Sequence, residues 1–211
     1  MIKRNFIVSA LLCTIFGIGS ANAQKIGQDP IDVVKILSFS CAVCYSTESQ
    51  DPVIKQKVEE FGGKYIKAPV VSITEDTGAM AKTYYASRKF APGIANKVND
   101  SFFKATQVMG IQANDMPQVY AWLQQDLYAT LDEKTLNSLM AAADGPEANT
   151  SFGRALIIAK SAGVNSIPAY VFMRNGKFIT SIDPAIAPGG PSVLREAVLK
   201  KLDELNTPDK K

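Results

Sequence analysis

The sequence predicts an α/β protein in which helices flank a mixed β-sheet and an all-helical block interrupts it. Three features support this prediction. A β-branched run, Val33–Leu37, precedes a first helical segment and a second strand-like run at 64–73. About seventy residues after Thr74 then carry helical periodicity and no strong strand signal. Asn175-Gly176 later gives the strongest short hairpin signal, so a parallel pair and a hairpin would form one mixed sheet.

The N-terminal 23 residues predict a secretory signal peptide. Lys3 and Arg4 form a basic head, the apolar run 6–19 is short for a membrane span, and small residues end at Ala23. Its removal would take Cys13 away and lower the formal net charge from +3 to +1. This near-neutral balance argues against a general nucleic-acid or anionic-membrane binder. Export would place the mature chain in an oxidising compartment.

The run Val33–Leu37 has the composition of a buried central strand. Lys35 is anomalous there, because a buried lysine is costly without a partner. We therefore expect an edge or end position, with its stem on the sheet and its ammonium in solvent. A helix is expected over 41–50. Asp51-Pro52 then has the pattern of an N-cap followed by proline at the first helical position, so the helix either kinks or restarts there, and it ends at Gly62-Gly63.

The middle of the chain predicts a compact helical block whose aromatic residues form its core. Four helices are expected there, over 79–90, 94–109, 116–128 and 132–143. After the breaker at 144–146 we expect a helix over 150–162, hairpin strands at 170–174 and 177–182, and a closing amphipathic helix over 191–205.

Cys41 and Cys44 form a Cys-x-x-Cys pair between the first strand and the first helix, which is the thioredoxin-like redox arrangement. Unpaired N–H groups and the positive end of the helix dipole would stabilise a thiolate on Cys41. The thiolate is the reactive form, so Cys41 is the predicted nucleophile. Cys44, one helical turn on, could attack a mixed disulfide on Cys41.

Two other roles for the pair are less favoured. Zinc needs about four ligands, whereas the chain has no histidine and a third cysteine only in the predicted signal peptide. A purely structural disulfide across so short a loop would contribute little chain entropy. The lack of histidine also excludes Ser-His and Cys-His triads, and we expect no metal or other cofactor.

The runs 39–45, 163–171 and 175–177, together with the helical block, resemble the DsbA family of periplasmic thiol-disulfide oxidoreductases. The resemblance implies a thioredoxin-like domain at 24–74 and 146–211, interrupted by a helical insertion at 75–145. It implies that Pro168 is cis, that its loop packs beside Cys41, and that the Ile167 backbone can pair with a substrate strand. From the residues alone, a trans proline at the start of a strand is the commoner case.

Four positions around the redox pair, Lys35, Ala42, Val43 and Glu48, would tune it. Ala42 and Val43 stand where family members often carry proline and histidine, and Lys35 stands where an acidic residue is common. Glu48 matches an acidic family position. These departures leave the expected fold unchanged but bear on the oxidising strength.

The resemblance implies a monomeric periplasmic oxidoreductase that introduces disulfides into unfolded, reduced secreted proteins and is reoxidised by a membrane partner. Nucleic acid is not expected as a partner. Two alternatives stay open: a reductase or isomerase of the same fold, and a non-enzymatic chaperone that retains the disulfide for structure.

Overall fold

The sheet has four strands in the order β2-β1-β3-β4. A computed structural model describes residues 29–71 and 78–207. The strands are β1 (Ile31–Leu37), β2 (Tyr65–Pro69), β3 (Ala169–Arg174) and β4 (Lys177–Ile182). β1 pairs with β2 in parallel, while β1 with β3 and β3 with β4 are antiparallel. The mixed sheet predicted from the sequence is therefore confirmed.

β1 is an inner strand, and its side chains alternate between two cores. Ile31 and Val33 pack with α2 (Asp51–Glu60) and α8 (Pro191–Asn206) on one face. Val34 and Ile36 face the larger core that the inserted helices complete. Because both faces are covered, the strand is apolar almost throughout, as buried strands are.

The chain after β1 is helical from Ala42 to Glu60, close to the predicted extent. α1 (Ala42–Thr47) passes through a 3₁₀ turn at Glu48–Gln50 directly into α2. The prediction that Asp51 caps α2 is wrong, because the N-cap residue is Gln50 and Asp51 is the first helical residue. The Asp51 side chain is thereby free to turn inward, where it meets lysine side chains of the sheet.

Gly62 and Gly63 end α2 as expected. Gly62 has φ +78°, a left-handed conformation that suits glycine after a helix. At Gly63 an added Cβ would lie 1.9 Å from the carbonyl oxygen of Ile31, so this close approach to β1 requires glycine.

The inserted block packs over the face of the sheet that carries Val34 and Ile36. Its helices are α3 (Ala79–Phe90), α4 (Ala95–Gln107), α5 (Met116–Asp126) and α6 (Glu133–Ala143), with a 3₁₀ turn at Pro92–Ile94. Its predicted aromatic core is confirmed: Tyr84, Phe102 and Phe103 are buried.

α7 (Pro146–Ser161) begins four residues before the prediction, since Pro146 takes the first helical turn, where its missing N–H costs nothing. It contacts α3 of the block as well as β2. The domain boundaries at 75 and 145 stay a prediction.

The C-terminal part follows the predicted order of hairpin and helix. Asn175 and Gly176 join β3 to β4 with φ of 54° and 73°, as a tight hairpin turn requires. Within residues 29–71 and 78–207, no helix combines the length and apolar character needed to cross a membrane. The predicted signal peptide, including Cys13, lies outside the described residues.

Candidate active site

Cys41 lies at the N-cap of α1, one short loop after β1. Its backbone is extended (φ −96°, ψ 111°), and its N–H donates to the Ser38 carbonyl at 3.1 Å. The Cys41 sulfur accepts the Cys44 backbone N–H at 3.1 Å, which is the hydrogen bond of an N-cap side chain. Cys41 is partly exposed and Cys44 is fully buried, and both are free thiols. The predicted placement at a helix N-terminus is confirmed.

The surroundings make Cys41 the more acidic thiol. Its pKa falls to about 7, mainly because the Cys44 side chain hydrogen-bonds to its sulfur, with backbone N–H groups of Cys44 and Val43 assisting against burial. The Lys35 charge adds a smaller lowering effect. Burial, and then the neighbouring Cys41, raise the pKa of Cys44 well above that of an ordinary thiol. At neutral pH Cys41 therefore carries the larger thiolate fraction of the two, as the predicted nucleophile should.

A loop distant in sequence closes one side of Cys41. The Cys41 thiol donates to the Ile167 carbonyl at 3.7 Å, a distance typical for sulfur, across 126 positions of the chain. The Ile167–Pro168 peptide bond is cis, and β3 begins at the next residue. The predicted cis bond and the packing of this loop beside Cys41 are both confirmed.

Ala42 and Val43, between the cysteines, are exposed. Val43 is 48% exposed and acts on Cys41 through its backbone N–H, since its side chain offers neither a hydrogen bond nor a charge.

Lys35 is fully buried within an inner strand, so the prediction of an edge or end position with the ammonium in solvent is wrong. The physical reason is that two carboxylates meet it inside the protein. Its Nζ donates to Glu48 Oε1 and to Asp51 Oδ1, each at 2.7 Å. A buried ammonium is tolerated when opposite charges and hydrogen bonds replace its hydration.

Lys67 of β2 completes a charge quartet with Lys35, Glu48 and Asp51. Its Nζ lies 2.5 Å from Glu48 Oε2 and 3.1 Å from Asp51 Oδ2. Asn99 of α4 also donates to Glu48 Oε2, at 2.8 Å. Two ammonium groups thus face two carboxylates at the junction of α1 and α2 with the sheet, and the formal charge of the quartet is zero.

Burial and the charges within the quartet shift the pKa values of its members in different directions. Burial raises the pKa of Asp51, and the two lysines do not fully offset it. For Glu48, burial acts in the same direction, but the charges of Lys35 and then Lys67 outweigh it and hold the pKa below its ordinary value. The Glu48 and Asp51 charges raise the pKa of Lys67 despite burial. A cleft of about 830 Å³ beside Tyr45 connects Glu48 and Lys67 with solvent.

Sequence reasoning missed Asp51, Lys67 and Asn99 as neighbours of the redox helix. A signal was present for Asp51, because a lysine in a central apolar strand requires buried acidic partners, and for Lys67, because it lies in the predicted neighbouring strand. Asp51 is ten residues after Cys41, and Lys67 pairs with Lys35 in the parallel register of β1 and β2. Asn99 could not be found in this way, since its position depends on how the inserted block packs.

Together these elements define a thioredoxin-like fold that carries a dithiol motif at a helix N-terminus and contains an inserted helical block. Among solved structures the chain is similar to DsbA-type oxidoreductases. SrgA of Salmonella enterica serovar Typhimurium has 15% identity and a TM-score of 0.63, over 86% of this chain and 96% of that one. A variant of Pseudomonas aeruginosa DsbA has 18% identity and a TM-score of 0.62, over 85% and 89%.

Proteus mirabilis DsbA, solved with the non-covalently bound peptide PWATCDS, has 18% identity and a TM-score of 0.59, over 85% of this chain and 90% of that one. No protein-family model and no curated protein sequence matches the chain. At these identities the comparisons show a shared fold, in agreement with the fold predicted from the sequence.

Proposed function

We propose that this chain is a thiol-disulfide oxidoreductase of the DsbA type that introduces disulfides into secreted proteins. The observation that carries the proposal is the pairing of a partly exposed, acidified Cys41 with a buried Cys44 beside the Ile167–Pro168 loop. A structural disulfide would need neither a thiolate-stabilising environment on one sulfur nor access to that sulfur.

In the proposed reaction the oxidised protein carries a Cys41–Cys44 disulfide. A client thiolate attacks Cys41 Sγ, forms a mixed disulfide and releases Cys44 as a thiolate, which takes up a proton. A second client thiolate attacks the client sulfur of the mixed disulfide and releases the Cys41 thiolate. The client loses two electrons and gains a disulfide, and the protein gains the two electrons as a dithiol.

Cys41 is the better leaving group of the two because of its lower pKa. Release of Cys41 as a stabilised thiolate completes client oxidation. Ala42, Val43 and Glu48 would tune this step, Ala42 and Val43 as the residues between the two sulfurs and Glu48 through the quartet.

We propose that clients bind as an extended segment beside the Ile167–Pro168 loop. Backbone groups that precede a strand can pair with an added strand, which gives affinity with little sequence preference. The Proteus mirabilis structure with a bound cysteine-containing peptide makes a peptide ligand a reasonable expectation for this fold.

The cellular setting is proposed from the sequence. The signal peptide predicted at 1–23 would direct the chain to the periplasm, where a membrane redox partner would reoxidise the pair. We propose a monomer that acts without an added cofactor on unfolded or reduced secreted proteins.

A reductase or isomerase is the second candidate, and one observation favours it. The pKa of Cys41, about 7, resembles that of thioredoxin, about 7, more than that of the strongest oxidant of this kind, about 3.5. A less stabilised thiolate makes the reduced form less favoured and the couple less oxidising.

The test is the reduction potential of the pair, measured by equilibration with glutathione buffers, together with activity assays. Oxidised protein should form the disulfide in a reduced two-cysteine peptide, and Cys41→Ser should abolish this. A potential between about −120 and −200 mV would support the oxidase, and one near about −270 mV the reductase. Activity in neither peptide oxidation nor insulin reduction would contradict both and leave the chaperone.

A further inference from the structure

The loop that carries the redox motif is held by the inserted helical block. The Phe39 carbonyl oxygen accepts two side-chain hydrogen bonds from the end of α4, from Thr106 Oγ1 at 2.6 Å and from Gln107 Nε2 at 2.9 Å. Phe39 is buried and lies after the end of β1 and before α1. A buried carbonyl needs a partner, and its two lone pairs can take these two donors.

The ring of Phe39 is fixed by the same helix. Its centroid lies 5.2 Å from that of Phe102 and 5.1 Å from that of Phe103, both in edge-to-face contacts. The side chain and the carbonyl of Phe39 are therefore both held by residues of α4. This double attachment leaves the loop between β1 and Cys41 little freedom to rotate.

We infer that Thr106 and Gln107 are positioning residues for Cys41, which act by fixing the Phe39 carbonyl. The inference rests on the proposed function, because there Cys41 is the sulfur that exchanges. The peptide group of Phe39 and Ser40 is planar, so anchoring its oxygen also sets the plane from which the chain enters Cys41.

The geometry of the hydrogen bond between Cys44 N–H and Cys41 Sγ depends on the orientation of the Phe39–Ser40 peptide group. It stabilises the thiolate at 3.1 Å, and such bonds weaken steeply as distance and angle depart from their optimum. The Cys41 N–H also donates to Ser38, which lies in the same loop. Rotation of the Phe39 peptide would therefore move the sulfur relative to its donor.

The geometry of Thr106 favours its hydrogen bond to the Phe39 carbonyl over bonds within its own helix. A threonine inside a helix commonly bonds a carbonyl of the preceding turn. Here those alternatives, Phe102 O at 3.3 Å and Phe103 O at 3.4 Å, are much longer than the bond to Phe39. Gln107 Nε2 is also within 3.2 Å of Thr106 Oγ1, so the two donors support each other.

The test is a double substitution, Thr106→Val with Gln107→Met, which keeps side-chain volume and removes both donors. The pKa of Cys41, followed by thiolate absorbance against pH in the reduced protein, should rise by about one unit. At pH 7 the thiolate fraction would fall from about one half to about one tenth, so alkylation of Cys41 should slow roughly fivefold. Thr106→Ser, which keeps the hydroxyl, should retain the wild-type pKa.

Tyr85→Phe is the matched control. The Tyr85 hydroxyl is also a buried donor from the block to a backbone carbonyl of the sheet, that of Pro69 at 3.0 Å, but at the end of β2. The Tyr85→Phe substitution should lower the midpoint temperature of thermal unfolding without changing the Cys41 pKa. If the double variant does not fold, Gln107→Met alone replaces it, with a smaller rise expected.

The inference is overturned if the folded variant keeps the wild-type pKa, or if Tyr85→Phe raises the pKa as much. These readouts need no client. A pKa shift in a protein that exchanges no disulfide would uphold the positioning role while contradicting the proposed function.

Discussion

Replacing Lys35 by methionine tests whether the buried quartet has the charges that its geometry indicates. Methionine has nearly the length of lysine, so the change removes the ammonium while filling most of its space. Glu48 and Asp51 would each lose a hydrogen bond of 2.7 Å and would share the single remaining ammonium of Lys67. Removing one partner from a buried ion cluster costs about 3–5 kcal/mol.

Such a loss is a large fraction of the 5–15 kcal/mol that is typical of a folded domain, so about 3–5 kcal/mol should be visible as a lower urea midpoint. Lys55→Met is the control, because Lys55 is exposed and its contact with Glu59 is 3.8 Å long. An exposed pair of this kind contributes at most about 1 kcal/mol.

The loss of unfolding free energy in Lys35→Met should also depend on pH. Burial already raises the pKa of Asp51 in the wild type, and loss of Lys35 removes a charge that lowers it. A carboxyl whose folded pKa is raised stabilises the fold at low pH, and this contribution is lost as pH rises through the folded pKa. The deficit relative to wild type should therefore be smaller at pH 5 than at pH 8. A variant as stable as wild type, or an equal deficit at both pH values, would refute the reasoning.

Three further predictions concern the pair and its surroundings. Iodoacetamide should label Cys41 in the native reduced protein, with a rate that rises through pH 7, and Cys44 after unfolding; peptide mapping that finds Cys44 first would reverse the assignment. Val43→His should lower the Cys41 pKa and raise the reduction potential by about 30 mV per pKa unit, and an unchanged potential in glutathione buffers would contradict this. Glu48→Gln should cost about 3 kcal/mol or more at pH 7 and less in acid, because the lowered pKa of Glu48 gives stability that is lost as pH falls; an equal urea midpoint shift at pH 7 and pH 4 would argue against it.

The sequence was sufficient for the sheet, the redox motif and most helices, because these depend on local signals. Asn175-Gly176 specified the hairpin, and the boundaries of α3 agree with its apolar periodicity. Cys41 and Cys44 could be assigned different roles from their spacing in one helical turn. The cis state of Pro168 came from the resemblance, since an X-Pro bond is usually trans.

What the sequence could not supply was the environment of the motif. Asp51 has the local pattern of a helix cap, Asp-Pro, and that pattern was misleading because tertiary pairing with Lys35 is the stronger interaction. The contacts of Asn99, Thr106 and Gln107 span 51, 67 and 68 positions of the chain. No periodicity within α4 indicates which of its polar residues face the redox loop.

Two influences act on the pKa of Cys41: the charges of the quartet and the hydrogen bonds to its sulfur. Because the quartet has no net charge, the hydrogen bonds have the larger effect. Lys35 lowers the Cys41 pKa less than the hydrogen bonds from Cys44 and Val43 do, although it lies in the strand that leads to the motif. Glu48 and Asp51 neutralise the lysines at close range, so little field remains for the sulfur. The thiolate is consequently stabilised mainly by the Cys44 thiol, with local backbone N–H groups assisting, and the quartet holds the helix junction to the sheet. Lys35→Met should therefore change stability far more than the Cys41 pKa, whereas Val43→His, at an exposed position, should do the reverse.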